Sequence, residues 1–254
     1  MLQIDNILII GCGNIGLRHL QSIVTGSINS SNIFVFDPMI PNKSVLKSAF
    51  ESHTGLELNE NLQIEVLESP FFSCEPDLVL VATTSNARDE LLIQLVTTFK
   101  GSKFLVEKPV FSSATNYQSL GSFDSSNIYV NYPRRMWGLY RDIKKEIQSA
   151  RGPFSMNVVG DNWAPGTNAF HFLDLFSFLS GVTQYDLVGK IHSVFPSKRY
   201  GYFDFEGLIE CKVQGAEFNL TNRKTISGDE NFLITISAND VSFVVDELNG
   251  HISV

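Results

Sequence analysis

Two periodicities divide the chain. In the first half, short and nearly unbroken apolar runs at residues 7–10, 33–36, 77–82 and 103–106 have the length and content of strands buried on both faces. Between them, residues 15–24, 44–52 and 86–99 carry apolar side chains at helical spacing, with Ile15, Leu20, Ile23 and Val24 on the first of these segments. Strand and helix in alternation predict a parallel, doubly wound sheet joined by right-handed crossovers. After a helix at 139–150 the pattern changes to strands, at 154–159, 186–195, 203–213, 217–221, 232–237 and 241–245. One helix, 169–179, interrupts them and stops at Ser180-Gly181. Strands in succession with short turns predict a mostly antiparallel open sheet. The expected fold class is thus an α/β domain at 1–111 followed by an α+β domain at 112–254. The chain stops at Gly250-His251-Ile252-Ser253-Val254 still in strand character, so the second sheet is expected to be short or truncated there.

Composition narrows the partners. A formal net charge of −8, with no basic cluster beyond Arg134-Arg135 and Lys144-Lys145, gives no electrostatic footprint for nucleic acid or an anionic membrane. The apolar stretches end short of a membrane span, and the N-terminus runs into a strand without the basic segment and cleavage site of a leader. Cys12, Cys74 and Cys211 lie far apart and match no metal spacing, so they read as reduced thiols of a cytoplasmic protein without a metal.

Candidate chemistry begins where the first strand meets the first helix, at Gly11-Cys12-Gly13-Asn14-Ile15-Gly16. With a strand before it, a helix after it and Asp37 closing the next strand, this is the order that a dinucleotide site requires. The first glycine permits a tight turn, the second lets the backbone approach a pyrophosphate, and the third lets helix and strand pack closely. The helix N-terminus then faces the phosphates with free N–H groups and the positive end of its dipole. Asp37, about 20 residues past the last glycine, suits the ribose hydroxyls of NAD and repels the extra phosphate of NADP. Lys43 is the nearby cation that could rescue such a phosphate, or a solvated charge at the next helix. A glycine turn used only for packing is the other reading of the motif.

Ligands of open parallel sheets bind outside the carboxyl ends of the strands. Two further segments end there, Ala82-Thr83-Thr84-Ser85-Asn86 and Glu107-Lys108-Pro109. Ala82, Thr83, Thr84, Asn86, Glu107 and Lys108 therefore join the glycine turn and Asp37 as candidate cofactor contacts. Lys108, between an acid and a φ-fixing proline, is held in place. Beside a cationic nicotinamide and partly out of water, its ammonium would be disfavoured, its pKa lowered, and a proton exchange with a substrate hydroxyl made feasible. Taken alone it reads rather as an exposed loop lysine.

The run from Gly11 to His19, Val81-Ala82-Thr83-Thr84, Phe104-Leu105-Val106-Glu107-Lys108-Pro109 and His171-Phe172-Leu173-Asp174-Leu175 with Gly181 together resemble the glucose–fructose oxidoreductase and inositol dehydrogenase (Gfo/Idh/MocA) family. These match its glycine loop, Ala-Thr-Pro segment, Glu-Lys-Pro motif and His-x-x-Asp helix, and they span residues 7–181. The resemblance implies an N-terminal Rossmann domain and a second domain for substrate binding and homo-oligomerisation through its sheet. It implies NAD(P)-dependent oxidation or reduction of a sugar, cyclitol or sugar derivative such as a sugar acid or sugar nucleotide, and Asp37 favours NAD over NADP. Lys108 would be a catalytic or substrate-orienting lysine and His171 the proton donor or acceptor. Thr167 stands where the family often has an aspartate, and a hydroxyl cannot act as a base near neutral pH. Thr84 replaces a proline, and Arg88 a frequent histidine.

Around His171, Asn168 could hold a substrate hydroxyl. Asp174 either orients His171 or hydrogen-bonds backbone. Trp163 and Arg135, in the segments 163–166 and 132–135, are expected to border the substrate together with Thr167, Asn168 and His171. An arginine there would suit a carboxylate or phosphate, and a surface ion pair is the other reading of Arg134 and Arg135. Two further functions share the scaffold: a non-catalytic dinucleotide-sensing regulator, and an NAD-dependent glycoside hydrolase that regenerates its cofactor.

Overall fold

The structure is a computed structural model describing residues 4–26, 32–118, 125–150, 152–197, 201–213, 215–225 and 231–254. The chain forms two compact units, Met1–Asn131 and Tyr132–Val254.

In the first unit, β1 (Asn6–Ile10), β2 (Asn32–Phe36), β3 (Ile64–Val66), β4 (Leu78–Val81), β5 (Lys103–Val106) and β6 (Ile128–Val130) form one all-parallel sheet in the order β3-β2-β1-β4-β5-β6. Parallel strands covered on both faces are apolar throughout. Accordingly Ile7 and Ile9 of β1 feed a core with Leu17, Leu20 and Ile23 of α1 (Asn14–Thr25) and Leu46 and Phe50 of α2 (Lys43–Thr54). Leu8 and Ile10 feed the opposite core, with Leu92 and Leu95 of α3 (Arg88–Thr98), Phe104 and Val106. The strand order reverses between β1 and β4, which places a ligand crevice at their carboxyl ends.

The expected boundary at 111/112 falls inside this unit. After the Glu107-Lys108-Pro109 turn and α4 (Ala114–Gln118), the chain returns to add β6 beside β5, with Phe104 opposite Ile128 and Val106 opposite Val130. The sheet is completed only then, so the break lies between Asn131 and Tyr132.

The second unit has seven strands: β7 (Phe154–Asp161), β8 (Val188–Pro196), β9 (Phe203–Val213), β10 (Ala216–Arg223), β11 (Phe232–Ala238), β12 (Val241–Asp246) and β13 (His251–Ser253). Their order is β13-β12-β11-β7-β10-β9-β8, and every pairing is antiparallel except β7 with β10. Side chains alternate inward and outward along β7, β10 and β11. The inward set, including Met156, Val158, Phe218, Leu220, Ile234 and Ile236, packs with Tyr140 and Ile143 of α5 (Gly138–Ala150) and Phe172 and Phe176 of α6 (Pro165–Ser180).

The last helix starts four residues before its expected position. Pro165 takes a first-turn site, where its missing N–H is no loss. Ala164 precedes it at φ 60 in the left-handed region and offers no side-chain cap. Asp204 of β9 caps the helix instead, one oxygen accepting from the Gly166 N–H at 3.0 Å. This early start puts Thr167, Asn168, His171 and Asp174 on one helix at spacings that share a face.

Candidate dinucleotide and proton-transfer sites

Each glycine of the turn after β1 answers to a different constraint. Gly11 has φ +88 and its N–H donates to the Phe36 carbonyl at 2.9 Å; a Cβ there would lie 2.8 Å from the Thr83 nitrogen. At Gly16 a Cβ would lie 1.8 Å from the Gly11 carbonyl oxygen, so the third glycine sets the approach of α1 to its strand. Gly13 differs from both. Its φ is an ordinary −69, and a Cβ there would meet no heavy atom within 4 Å. Gly13 is the N-cap of α1, which has neither a side-chain cap nor an acid in its first turn. Asn14 and Ile15 beside it are exposed. The residues present fit a pyrophosphate: open space over uncapped N–H groups, at a glycine that the fold itself does not require.

Asp37 closes β2 against this turn. One carboxylate oxygen accepts from the Cys12 N–H at 2.6 Å and the other from the Met39 N–H at 2.8 Å. The acid is thus held at the crevice with lone pairs remaining for a ribose. Cys12, expected as a cofactor contact, instead gives its amide to Asp37 and buries its side chain. Burial, and then Asp37, push its thiol up to about 12, so it stays protonated and unreactive. Lys43 donates to the Glu60 and Leu62 carbonyls at 3.4 and 3.2 Å, which engages the ammonium that could have met an NADP phosphate. No group of His, Cys, Asp and Glu among the described residues could hold a metal.

The other two turns lie beside the first. Ala82 follows β4 with its N–H on the Ile10 carbonyl at 2.8 Å, and Thr84 and Asn86 are exposed. The segment expected to begin the third helix forms a single 3-10 turn, Ser85–Ala87, before α3 starts at Arg88. After β5, the Lys108-Pro109 peptide is cis and Lys108 is half-buried. Glu107 faces inward, away from the role of cofactor contact. Its carboxylate meets His19 Nε2 of α1 at 2.8 Å and accepts from Asn131 Nδ2 at 2.6 Å. Burial pushes this carboxyl up, yet His19, Asn131 and the charge of Lys108 together hold it below the usual range.

In the second unit, His171 is half-buried with the Tyr132 ring edge-on at 6.1 Å. Thr167 Oγ1 donates to the Ala164 carbonyl at 3.3 Å and Asn168 Nδ2 to the Trp163 carbonyl at 2.9 Å, so both brace the start of α6. Trp163 belongs to the core rather than to a substrate rim. It is 8 % exposed, packs on Phe172 and Phe232, and donates its indole N–H to the Thr221 carbonyl at 3.3 Å. Both arginines are in ion pairs. Arg134 holds Glu247 through two bonds of 2.8 and 2.5 Å, with Tyr140 donating to the same carboxylate at 2.5 Å. Arg135 holds Asp174 with its Nε at 2.9 Å and an Nη. Asp174 therefore pairs with a cation and neither orients His171 nor caps backbone. Burial raises its carboxyl despite Arg135.

Sequence reasoning did not identify the functions of His19 and Asn131, which fix Glu107, or of Arg88. His19 lies in the quoted glycine motif, three residues beyond Gly16, but nothing local aims it at Glu107. Arg88 was visible only as a departure from the family.

Comparison with known proteins places this geometry. Residues 6–123 match the Gfo/Idh/MocA oxidoreductase family, NAD-binding Rossmann fold. No curated protein matches the chain significantly. Among solved structures, myo-inositol dehydrogenase from Lactobacillus casei, in complex with NAD(H) and myo-inositol, aligns at a TM-score of 0.71 and 13 % identity, covering 96 % of this chain and 74 % of that one. A myo-inositol dehydrogenase from Corynebacterium glutamicum aligns at 0.71 and 16 % identity, covering 96 % and 75 %. A dehydrogenase from Clostridium difficile aligns at 0.67 and 16 % identity, covering 99 % and 82 %. At such identities the neighbours establish the fold. Residues 6–123 thus match the Gfo/Idh/MocA oxidoreductase family model, and the six-stranded parallel sheet that they contribute to has the order of its NAD-binding Rossmann fold.

Proposed function

We propose that this protein is an NAD-dependent dehydrogenase or reductase acting on a sugar- or cyclitol-type hydroxyl or carbonyl. The observation that carries the cofactor half of the reading is Gly13, whose missing Cβ serves neither backbone nor packing and leaves a cradle over the α1 N-terminus. With the pyrophosphate of the dinucleotide held there, its nicotinamide would accept or donate a hydride. The chain's own part is the hydroxyl proton, which the reading assigns to Lys108 and His171 because Thr167 supplies no carboxylate. With both guanidiniums engaged by Glu247 and Asp174, a neutral polyol is favoured over a sugar acid or sugar nucleotide. The L. casei neighbour crystallised with myo-inositol supports that class. Three free cysteines suit a reducing compartment, the cytoplasm. No helix among the described residues is long and apolar enough to cross a membrane. Exposed Val188, Ile191, Val194 and Phe203 on the outer strands of the second sheet support self-association through it.

The test begins with a panel of polyols, sugars, sugar acids and sugar nucleotides, screened by NADH absorbance. Lys108→Met and His171→Ala should then each lower turnover by about 10²–10⁴ while NAD affinity stays within a few-fold. Variants that turn over at the wild-type rate would overturn the assignment.

A further inference from the structure

We propose that Arg88 is a positioning residue that locks the turn after β4 to the turn after β5 and thereby shapes the nicotinamide half of the dinucleotide site. The inference rests on the dinucleotide reading above and assigns a task to a residue which that reading leaves unused.

Arg88 is only 2 % exposed and is the largest of the fully buried side chains. Burying a guanidinium is costly unless its donors are met. The site is costly for a second reason: Arg88 is the first residue of α3, at the end of a helix whose dipole repels a cation. Asp89 and Glu90 in the same turn offset part of that. A residue so placed for stability alone would be better replaced by an apolar side chain of similar volume.

Its hydrogen bonds show what the placement achieves. One terminal nitrogen donates to the carbonyls of Glu107, Pro109 at 2.6 Å and Val110 at 3.3 Å, which bracket Lys108 on both sides. The other donates to the carbonyl of Thr83, and Nε reaches Thr83 Oγ1 at 3.5 Å. Every one of these acceptors belongs to the two turns at the carboxyl ends of β4 and β5. A planar fork of five N–H donors can span both turns at once, whereas an ammonium on a flexible stem cannot hold them in one geometry.

The location within the sheet gives the consequence. A dinucleotide lies across two mononucleotide-binding halves. Asp37 at β2 marks the adenosine half, so β4 and β5 belong to the other, the nicotinamide half. Arg88 makes the two turns walling that half into one rigid piece, clamped independently through Glu107 by His19 and Asn131. Rigid placement of such walls matters because displacements near 1 Å can change rates about 10²-fold.

The experiment compares NADH with ADP-ribose, which lacks only the nicotinamide ring, by calorimetry on wild type, Arg88→Met and Arg88→Lys, with melting temperatures in parallel. The expected result is a loss of about tenfold in NADH affinity in both variants, with less enhancement of NADH fluorescence and unchanged ADP-ribose affinity. Arg88→Lys keeps the buried charge but not the fork, so it carries the comparison should Arg88→Met fail to fold. Unchanged NADH affinity would overturn the proposal, as would equal losses for both ligands, the mark of a residue that merely supports the fold. A wild-type protein that binds neither ligand would overturn the dinucleotide reading itself, and the proposal with it.

Discussion

Replacing Gly13 and Gly16 in turn by alanine separates a glycine kept for a ligand from one kept for the fold. At Gly16 the new methyl would lie 1.8 Å from the Gly11 carbonyl oxygen, where carbon contacts need about 3.5 Å. The helix must shift, and overpacking of this kind costs about 1–3 kcal/mol or more. At about 2–4 °C per kcal/mol for a chain of this size, Gly16→Ala should melt several degrees lower. At Gly13 the methyl meets nothing within 4 Å and φ is −69. Gly13→Ala should therefore stay within about 1 kcal/mol of wild type, and can gain a few tenths from a stiffer unfolded chain. The same methyl occupies the cradle over the α1 N-terminus. Losing one hydrogen bond to a charged phosphate costs about 1.5–3 kcal/mol, roughly 10- to 150-fold in Kd. Thermal melts and NADH titration by calorimetry read the two effects. A Gly13→Ala protein that binds NADH like wild type, or that melts as low as Gly16→Ala, would refute the reasoning.

Further expectations concern charge. His19 and Asn131 hold the Glu107 carboxyl below its usual 4.5, so its contribution to stability is present above that pH and is lost as pH falls through the depressed value. Glu107→Gln should melt lower near neutrality and decline less steeply toward acid; parallel acid slopes in the two proteins would count against the clamp. Glu247→Gln leaves Arg134 without its carboxylate partner at a site where the two side chains are only 13–16 % exposed, and should destabilise the protein by about 2 kcal/mol or more in denaturant melts. Asp37→Ala should narrow the preference for NAD(H) over NADP(H) and loosen the Cys12 turn. Tighter NADP(H) binding by the native protein would reverse the cofactor assignment.

Elements whose cause is local were legible. β1, α1, β2 and β5 announce themselves through apolar runs and spacing, and β9 matches its expected bounds at both ends. What escaped depends on distant partners. The start of α6 is set by Asp204, 38 residues away from the Gly166 amide that it caps. The segment 163–166 reads as a border of the substrate, but Asn162 and Ala164 at φ 53 and 60 turn the chain so that the Trp163 indole enters the core. β3 and β6 have three residues each, too few for a period to emerge. In the candidate sites, Lys108 and His171 stood out through motif and chemistry. Arg88 did not, because most of the carbonyls that give it a purpose lie 19 to 22 residues further on, and nothing in a run of side chains reveals a backbone acceptor.

The single parallel pairing of the second sheet carries a consequence for synthesis. β7 is the first strand of its sheet to leave the ribosome, yet its two neighbours are β10 and β11. Asn157 meets its partner Asn219 only 62 residues later. While β8 and β9 zip into a hairpin of their own, the future centre of the sheet waits with both edges open. Such a strand is a natural client for a holding chaperone. Variants that slow translation between β7 and β10 should therefore lower the yield of folded protein more than equal delays placed after β11.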